Sequence, residues 1–268
     1  MMGKRISGGV VFGIGAILIL LTLFGKFTDL GRYESKLVSG DRFDAVLVPN
    51  IRGIDELHRE AASRRENWGH APARDRMNSL YNVVAERFTY GSKAKYNLFS
   101  NWIMWSLGLF NRNAAYISDP DVLLEYGYSV MCHQSSWVLA TLAKKENIPF
   151  RHVELSGHVV MEAWWGGTWH MYDPAFEVVP QERDEVYGVM ALEDAPNLVK
   201  SHYGKRGDAV APLFSSKYDN SFVTDGMFFW KADVLSRIER ISNWLKWILP
   251  LLMMVVGSCF LASRKNVS

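Results

Sequence analysis

"CHQSSWVLATLAKKENIPFRHVELSGHVVMEAWWGGTWHMYDP" runs from Cys132 to Pro174, and its local signals set the architecture. Met131, Ser135, Val138, Leu139 and Leu142 recur at helical spacing on one face, which predicts a helix over 131–145. Asn147-Ile148-Pro149 ends it, since a proline drives the residue before it out of the helical region. Residues 150–155, "FRHVEL", read as a strand, and 157–174 as two strands about a Gly166-Gly167 turn, where both positions tolerate positive φ.

That turn fixes a register. If Trp165 pairs with Thr168, stepping outward sets Asp173 opposite Val160. His158 lies two residues from Val160 and therefore on the same face. His158 and Asp173 become diagonal neighbours, about 7–8 Å apart between backbones and closer between side chains. A hairpin built only for structure needs neither residue. A carboxylate that steadies an imidazole accounts for both. A three-residue turn would reverse the parity and separate them.

Cys132 stands at the head of the 131–145 helix, where unpaired N–H groups and the helix dipole favour a thiolate. Cys, His and Asp, each at the end of an element, suit an activated sulfur nucleophile. His exchanges protons, Asp orients it, and helix N–H groups meet an oxyanion. Each residue alone has an ordinary account: an inert thiol, a surface histidine, an Asp-Pro turn. Their order and shared face favour the joint reading. A metal site from Cys132, His133, His158, His170 and Asp173 does not converge, because His170 falls opposite Ala163 on the other face. No cofactor motif and no carboxylate-rich calcium loop is legible.

Outward from this core, residues 6–25 carry no charge and are long enough to cross a bilayer. A cleaved signal peptide is the alternative, but no clear cleavage site follows. Residues 241–262 form a second such run, with Lys246 near one end and Trp244 and Trp247 at interfacial positions. The layout is a tail (1–5), a transmembrane helix (6–25), a domain (26–240, core 120–180), a second transmembrane helix (241–262) and a tail (263–268). The short basic tails favour the cytoplasm and place the domain on the extracytoplasmic side of the membrane. Cys259 lies in the second run, so Cys132 is the one thiol of the domain and no disulfide can form within it. A formal net charge of +2 gives no field for nucleic acid. The glycines at 8, 9, 13 and 15 follow no strand and make no dinucleotide motif.

Residues 53–89 read as two helices broken near 69–72. The basic cluster Arg64, Arg65, Arg74 and Arg76 reads as a solvated face, with anionic headgroups as the alternative. Residues 97–110, "NLFSNWIMWSLGLF", are too short to span. They are either a buried helix or one lying in the membrane interface. Residues 180–230 read as loops and short elements. Together these predict an α+β domain with a helix on an antiparallel sheet.

The Cys132–Pro174 stretch resembles the core of the transglutaminase-like cysteine enzymes, in a bacterial-type membrane-anchored form. The features shared are a Cys opening a helix of small and apolar residues, the "NIPFRHV" turn into a strand, His158 followed by Glu162, and "TWHMYDP" closing on Asp-Pro. The resemblance implies a papain-like fold between two transmembrane helices, with Cys132 as nucleophile, His158 as base and acid and Asp173 as orienter. The family often has Gly two residues before the Cys, where this chain has Val130. Tyr126, Trp102 and Trp105 are the candidates for an extra oxyanion donor. The expected activity is acyl transfer at a carboxamide or peptide bond, completed by water (peptidase or amidase) or by an amine (crosslinking transglutaminase), with hydrolysis favoured. The expected partners are the bilayer, a peptide or protein substrate near it, and a membrane protein met through the transmembrane helices. The alternative is a non-catalytic module that binds a peptide or assembly partner.

Overall fold

The computed structural model describes residues 2–33, 42–91, 94–179, 181–182, 185–215, 221–224 and 227–262, and the tail at 263–268 lies outside them. Helices and small sheets are mixed, and the chain forms two compact units. One comprises Met1–Tyr33, Lys95–Ile117 and Leu235–Ser268, and the other Glu34–Ala94 and Ser118–Val234.

The second unit holds a four-stranded antiparallel sheet. Its strands are β1 (Phe150–Leu155), β2 (His158–Trp165), β3 (Thr168–Tyr172) and β4 (Ser221–Thr224), in the order β3-β2-β1-β4. Trp165 pairs with Thr168 and Met161 with Tyr172, the register expected from a two-residue turn. Gly166 (φ +61°) and Gly167 (φ +89°) hold the left-handed conformation such a turn requires. β1 and β2 are also joined by two residues, Ser156 and Gly157, so Leu155 pairs with His158. β4 lies in the region read as loops and short elements. Its partner β1 is remote in sequence, and four residues carry too little periodicity to announce a strand.

The cysteine helix, Cys132–Lys145, packs across β2. Val138, Leu139 and Leu142 are buried as the spacing implies. Ser136, Ala140 and Ala143 are buried too, so the covered surface is wider than one stripe. The helices Ile54–Ser63 and Ala73–Arg87 also pack on this helix, and its small residues allow close approach. Ser136 Oγ donates to the Val159 carbonyl at 3.3 Å, locking the helix against the strand beside His158. The helix ends in a left-handed Asn147 (φ +55°), with the Ile148 N–H bonded to the Ala143 carbonyl at 2.9 Å.

Arg87 is fully buried and donates to the carbonyls of Ile51 (3.0 Å), Gly127 (3.0 Å) and Leu124 (2.6 Å). It thereby ties the helix Ala73–Arg87 to the end of the helix Pro120–Tyr126, just upstream of the cysteine. Thr89–Tyr90 then pairs in parallel with Ser129–Val130, which sets Tyr90 next to the chain entering Cys132. Arg87→Met leaves three buried acceptors without these donors. The expected cost is about 3 kcal/mol or more in urea unfolding of the full chain.

The arginine cluster meets carboxylates. Arg64 pairs with Glu60 and Glu86, Arg65 with Asp75 and Arg76 with Glu146, while Arg74 lies over the Trp165 ring. Arg64 and Arg65 are exposed, as the solvated-face reading expects, while Arg74 and Arg76 are half-buried.

The helix Met2–Phe27 and, from Leu235 on, the helix Met227–Ala262 belong to the first unit and hold the candidate spans Ser7–Phe27 (21 residues) and Ala232–Ala262 (31 residues), the second free of charge only beyond Lys246. Both are long enough to cross a bilayer. The second helix starts well before the expected 241. Gly8, Gly15 and Gly257 let the two helices touch: a Cβ on Gly15 would fall 2.6 Å from the Pro250 carbonyl, and one on Gly257 2.7 Å from the Phe12 nitrogen. Residues 97–110 are only partly helical. Asn97 Oδ1 caps a turn by accepting from Phe99 and Ser100, and the helix begins at Trp102 behind Asn101, which accepts from the Met104 N–H at 3.1 Å. The buried-helix reading of this segment fails, since Leu107, Leu109 and Phe110 are exposed.

Candidate active site

His158 opens β2, and Asp173 follows the last residue of β3. The register sets them side by side: His158 Nε2 lies 2.6 Å from Asp173 Oδ2. Asp173 is fully buried and accepts from four donors. Oδ2 also takes the Tyr203 hydroxyl at 2.8 Å, and Oδ1 takes the N–H groups of Ala175 and Phe176, both at 3.1 Å. The turn is closed by paired backbone bonds between Asp173 and Val178. It returns Phe176 over the imidazole, stacked with ring centroids 4.5 Å apart. The His–Asp arrangement is thus held before any ligand arrives, with Phe176 over one face of the ring.

With Nε2 committed to Asp173, the other ring nitrogen is left for the thiol, and Cys132 is hydrogen-bonded to His158. Burial by itself raises the Cys132 thiol. Hydrogen bonds from His133 and His158, the charge on His158 and the Val159 N–H outweigh it and bring the thiol from an ordinary 9.0 down to about 6. Burial by itself lowers His158. The charge and hydrogen bond of Asp173, followed by those of Cys132, raise it from 6.5 to about 10. Both shifts describe one thiolate–imidazolium pair, present between about pH 6 and pH 10.

The consequences for stability follow from the signs. The thiol's contribution is full above its unfolded value of 9.0 and is lost as pH falls through about 6. The imidazole's is full below 6.5 and is lost as pH rises through about 10. Between 6.5 and 9.0 the pair holds one proton whether the chain is folded or unfolded, so its contribution there is flat.

Glu162, four residues after His158, serves the frame rather than the sulfur. It pairs with Arg151 and accepts the Val189 N–H at 2.6 Å, docking the helix Val189–Glu193. His170 turns to the Trp165 carbonyl at 2.9 Å and stacks on the Trp165 ring, as the opposite-face reading requires. Among the described residues no cluster of three His, Cys, Asp or Glu side chains is arranged to hold a metal.

Tyr126 ends its helix half-buried, its phenol pushed up to about 12 by burial and the neighbouring Glu125. Trp102 and Trp105 belong to the other unit, where the Trp102 N–H donates to the Lys246 carbonyl at 3.3 Å. The aromatic that packs with Cys132 is Tyr90, together with Val159 and Ala175. Tyr90 contacts Phe176 (4.9 Å between centroids), and the Arg206 guanidinium covers Phe176 at 4.7 Å.

Tyr203 was not legible as a site residue because it lies 30 positions from Asp173 in a weakly periodic segment. It sits in a buried cluster with Val153, Val160, Met171 and Phe214, which explains its placement. Tyr203→Phe removes one bond to Asp173, worth about 1 kcal/mol. The expected result is a loss of about 1 kcal/mol in urea unfolding of the full chain.

No protein-family model and no curated protein matches this chain. Among solved structures, one described as "Crystal structure of a TGase" aligns with a TM-score of 0.30 at 18% identity, covering 57% of this chain and 37% of that one. What the residues can do follows from their own geometry.

Proposed function

We propose that this chain is a membrane-anchored cysteine acyl-transfer enzyme that opens a carboxamide or peptide bond through a thioester on Cys132. The observation that carries the reading is the buried His158–Asp173 contact of 2.6 Å beside a thiol brought down to about 6. An inert structural thiol needs no such pair. The chemistry matches the transglutaminase-like pattern that the Cys132–Pro174 stretch resembles.

In this mechanism the Cys132 thiolate attacks the carbonyl carbon. N–H groups in the first turn of the cysteine helix stabilise the oxyanion. The His158 imidazolium gives its proton to the leaving nitrogen, the C–N bond breaks, and an amine departs. His158, now neutral, takes a proton from water or from a second amine as that nucleophile attacks the thioester. The acid or new amide leaves, and the thiolate–imidazolium pair is restored. Asp173 holds the ring and offsets its charge throughout. Water is the proposed acceptor, which makes the enzyme a peptidase or amidase. The two terminal helices anchor it as a two-pass membrane protein with the Cys132 unit on the extracytoplasmic side, facing peptide or protein substrates near the bilayer.

The test uses the full chain in detergent, exposed to a library of peptides carrying side-chain and backbone carboxamides. Intact-mass analysis after acid quench should find an acyl adduct on Cys132, absent from Cys132→Ala. Heavy-oxygen water should label the product acid. If Cys132 alkylates rapidly yet no library member acylates it, the non-catalytic binding module replaces this reading.

A further inference from the structure

We infer that the short helix Trp102–Phe110 lies in the headgroup–acyl boundary of a lipid bilayer as a third membrane contact. The inference rests on reading the two terminal helices as membrane spans. Nine residues cover about 14 Å, less than half the thickness of a hydrocarbon core, so this helix cannot cross. It can lie flat.

One side of it is committed to its own unit. Met104 is buried, and a Cβ on Gly108 would fall 2.5 Å from the Ala115 Cβ. The opposite side is bare: Leu107, Leu109 and Phe110 are 45%, 67% and 92% exposed. Ile103, Leu107 and Phe110 fall at i, i+4 and i+7, a single stripe. No charged residue occurs from Tyr96 to Asn111, and Lys95 and Arg112 flank the run on either side. An apolar stripe between two cations suits a lipid surface, where the stems of long basic side chains bury and their charges reach the headgroups.

The level at which this helix is held names the occupant. Gly25, near the end of the first apolar stretch, touches the Phe99 carbonyl so closely that a Cβ would fall 2.1 Å away. On the C-terminal helix, Ser242 and Asn243 accept from Asn101 Nδ2 at 2.8 and 3.1 Å, and Lys246 Nζ donates to the Ser100 carbonyl at 2.7 Å. Below Lys246 that helix runs uncharged to Ala262. Trp244, 73% exposed, stands at the same height, where interfacial aromatics gather. These contacts pin residues 99–102 at the border of both spans. With residues 99–102 held there, the exposed stripe starts at the level where the uncharged part of the C-terminal helix begins, which favours lipid over a protein groove as its cover.

The test places a polarity-sensitive fluorophore on single cysteines in the full chain with Cys132→Ala and Cys259→Ala. The sites are Phe110→Cys, Val255→Cys within the second span and Arg59→Cys on the exposed surface of the other unit. The proteins are reconstituted in phosphatidylcholine–phosphatidylglycerol vesicles. Iodide reports water, and nitroxide lipids labelled near the headgroup or deep in the chain report depth. The Phe110 probe should be quenched more by shallow than by deep nitroxide, and by iodide roughly threefold or more weakly than the Arg59 probe. Iodide quenching equal to that at Arg59, with Val255 still reporting deep lipid, overturns the inference and leaves the spans standing. Shielding of Phe110 from iodide and from both lipid probes means a protein partner or a second copy covers the stripe, which also overturns it. A Val255 probe in water removes the spans and this inference together.

Discussion

Asp173→Ala is expected to lower the proposed acyl transfer by about 100- to 10,000-fold, the range that a positioned acid–base pair contributes. The carboxylate is the first partner to outweigh burial in raising His158 to about 10. Without it the buried ring reverts to its neutral form, the thiol loses the adjoining cation, and the leaving amine loses its proton donor. Asp173→Asn should fall between Ala and the native residue, because its amide oxygen can still accept from Nε2 while its charge is gone. Side-chain loss also frees Tyr203 and the Ala175 and Phe176 N–H groups, so unfolding must be measured alongside. The diagnostic readout is the split between Asn and Ala at equal fold integrity. Equal activity in both variants and the native chain would remove Asp173 from the mechanism. The native pH–rate profile should be bell-shaped, rising through about 6 as the thiol ionises and falling through about 10 as the imidazolium loses its proton.

His158→Ala is expected to move the pH midpoint for alkylation of Cys132 from about 6 toward the ordinary 9.0. A weaker effect on rate accompanies it, because a thiolate of higher pKa is intrinsically more nucleophilic, with a Brønsted slope near 0.4–0.5. At pH 7 the variant's smaller thiolate fraction is largely offset, and the rate drops only about fourfold. At pH 6 the drop reaches about twentyfold. The midpoint, not the rate at neutral pH, is therefore the measurement to make. Cys259→Ser keeps the exposed second thiol out of the signal. His133 also hydrogen-bonds the sulfur, and retention of a midpoint near 6 in His158→Ala would assign the activation to it instead.

The hairpin was legible because a two-residue glycine turn allows one register, and register fixes faces. Gly166-Gly167 alone sets His158 and Asp173 on a common side. The cysteine helix was legible from its spacing, though not its burial on further sides. Ser136, Ala140 and Ala143 are small, and composition gives no sign that small residues face a neighbouring helix rather than water. Contacts set by distant pairing were not legible. Tyr90 reaches Cys132 through a two-residue parallel bridge, and Tyr203, the last residue of the helix Pro196–Tyr203, is docked on Asp173 by a buried cluster it shares with the sheet. Neither bridge nor dock leaves a periodic trace in sequence. Trp102 drew notice as a donor by type alone, while its N–H meets a carbonyl of its own unit.

The most direct test is the alkylation rate of Cys132 in the full-length Cys259→Ser chain from pH 4 to pH 10, with cleavage of the chain and mass analysis locating the modified residue. An ion-paired sulfur beside His158 gives a midpoint near 6. A midpoint near 9, or a thiol that stays unreactive until the protein unfolds, contradicts the nucleophile and the function proposed for it.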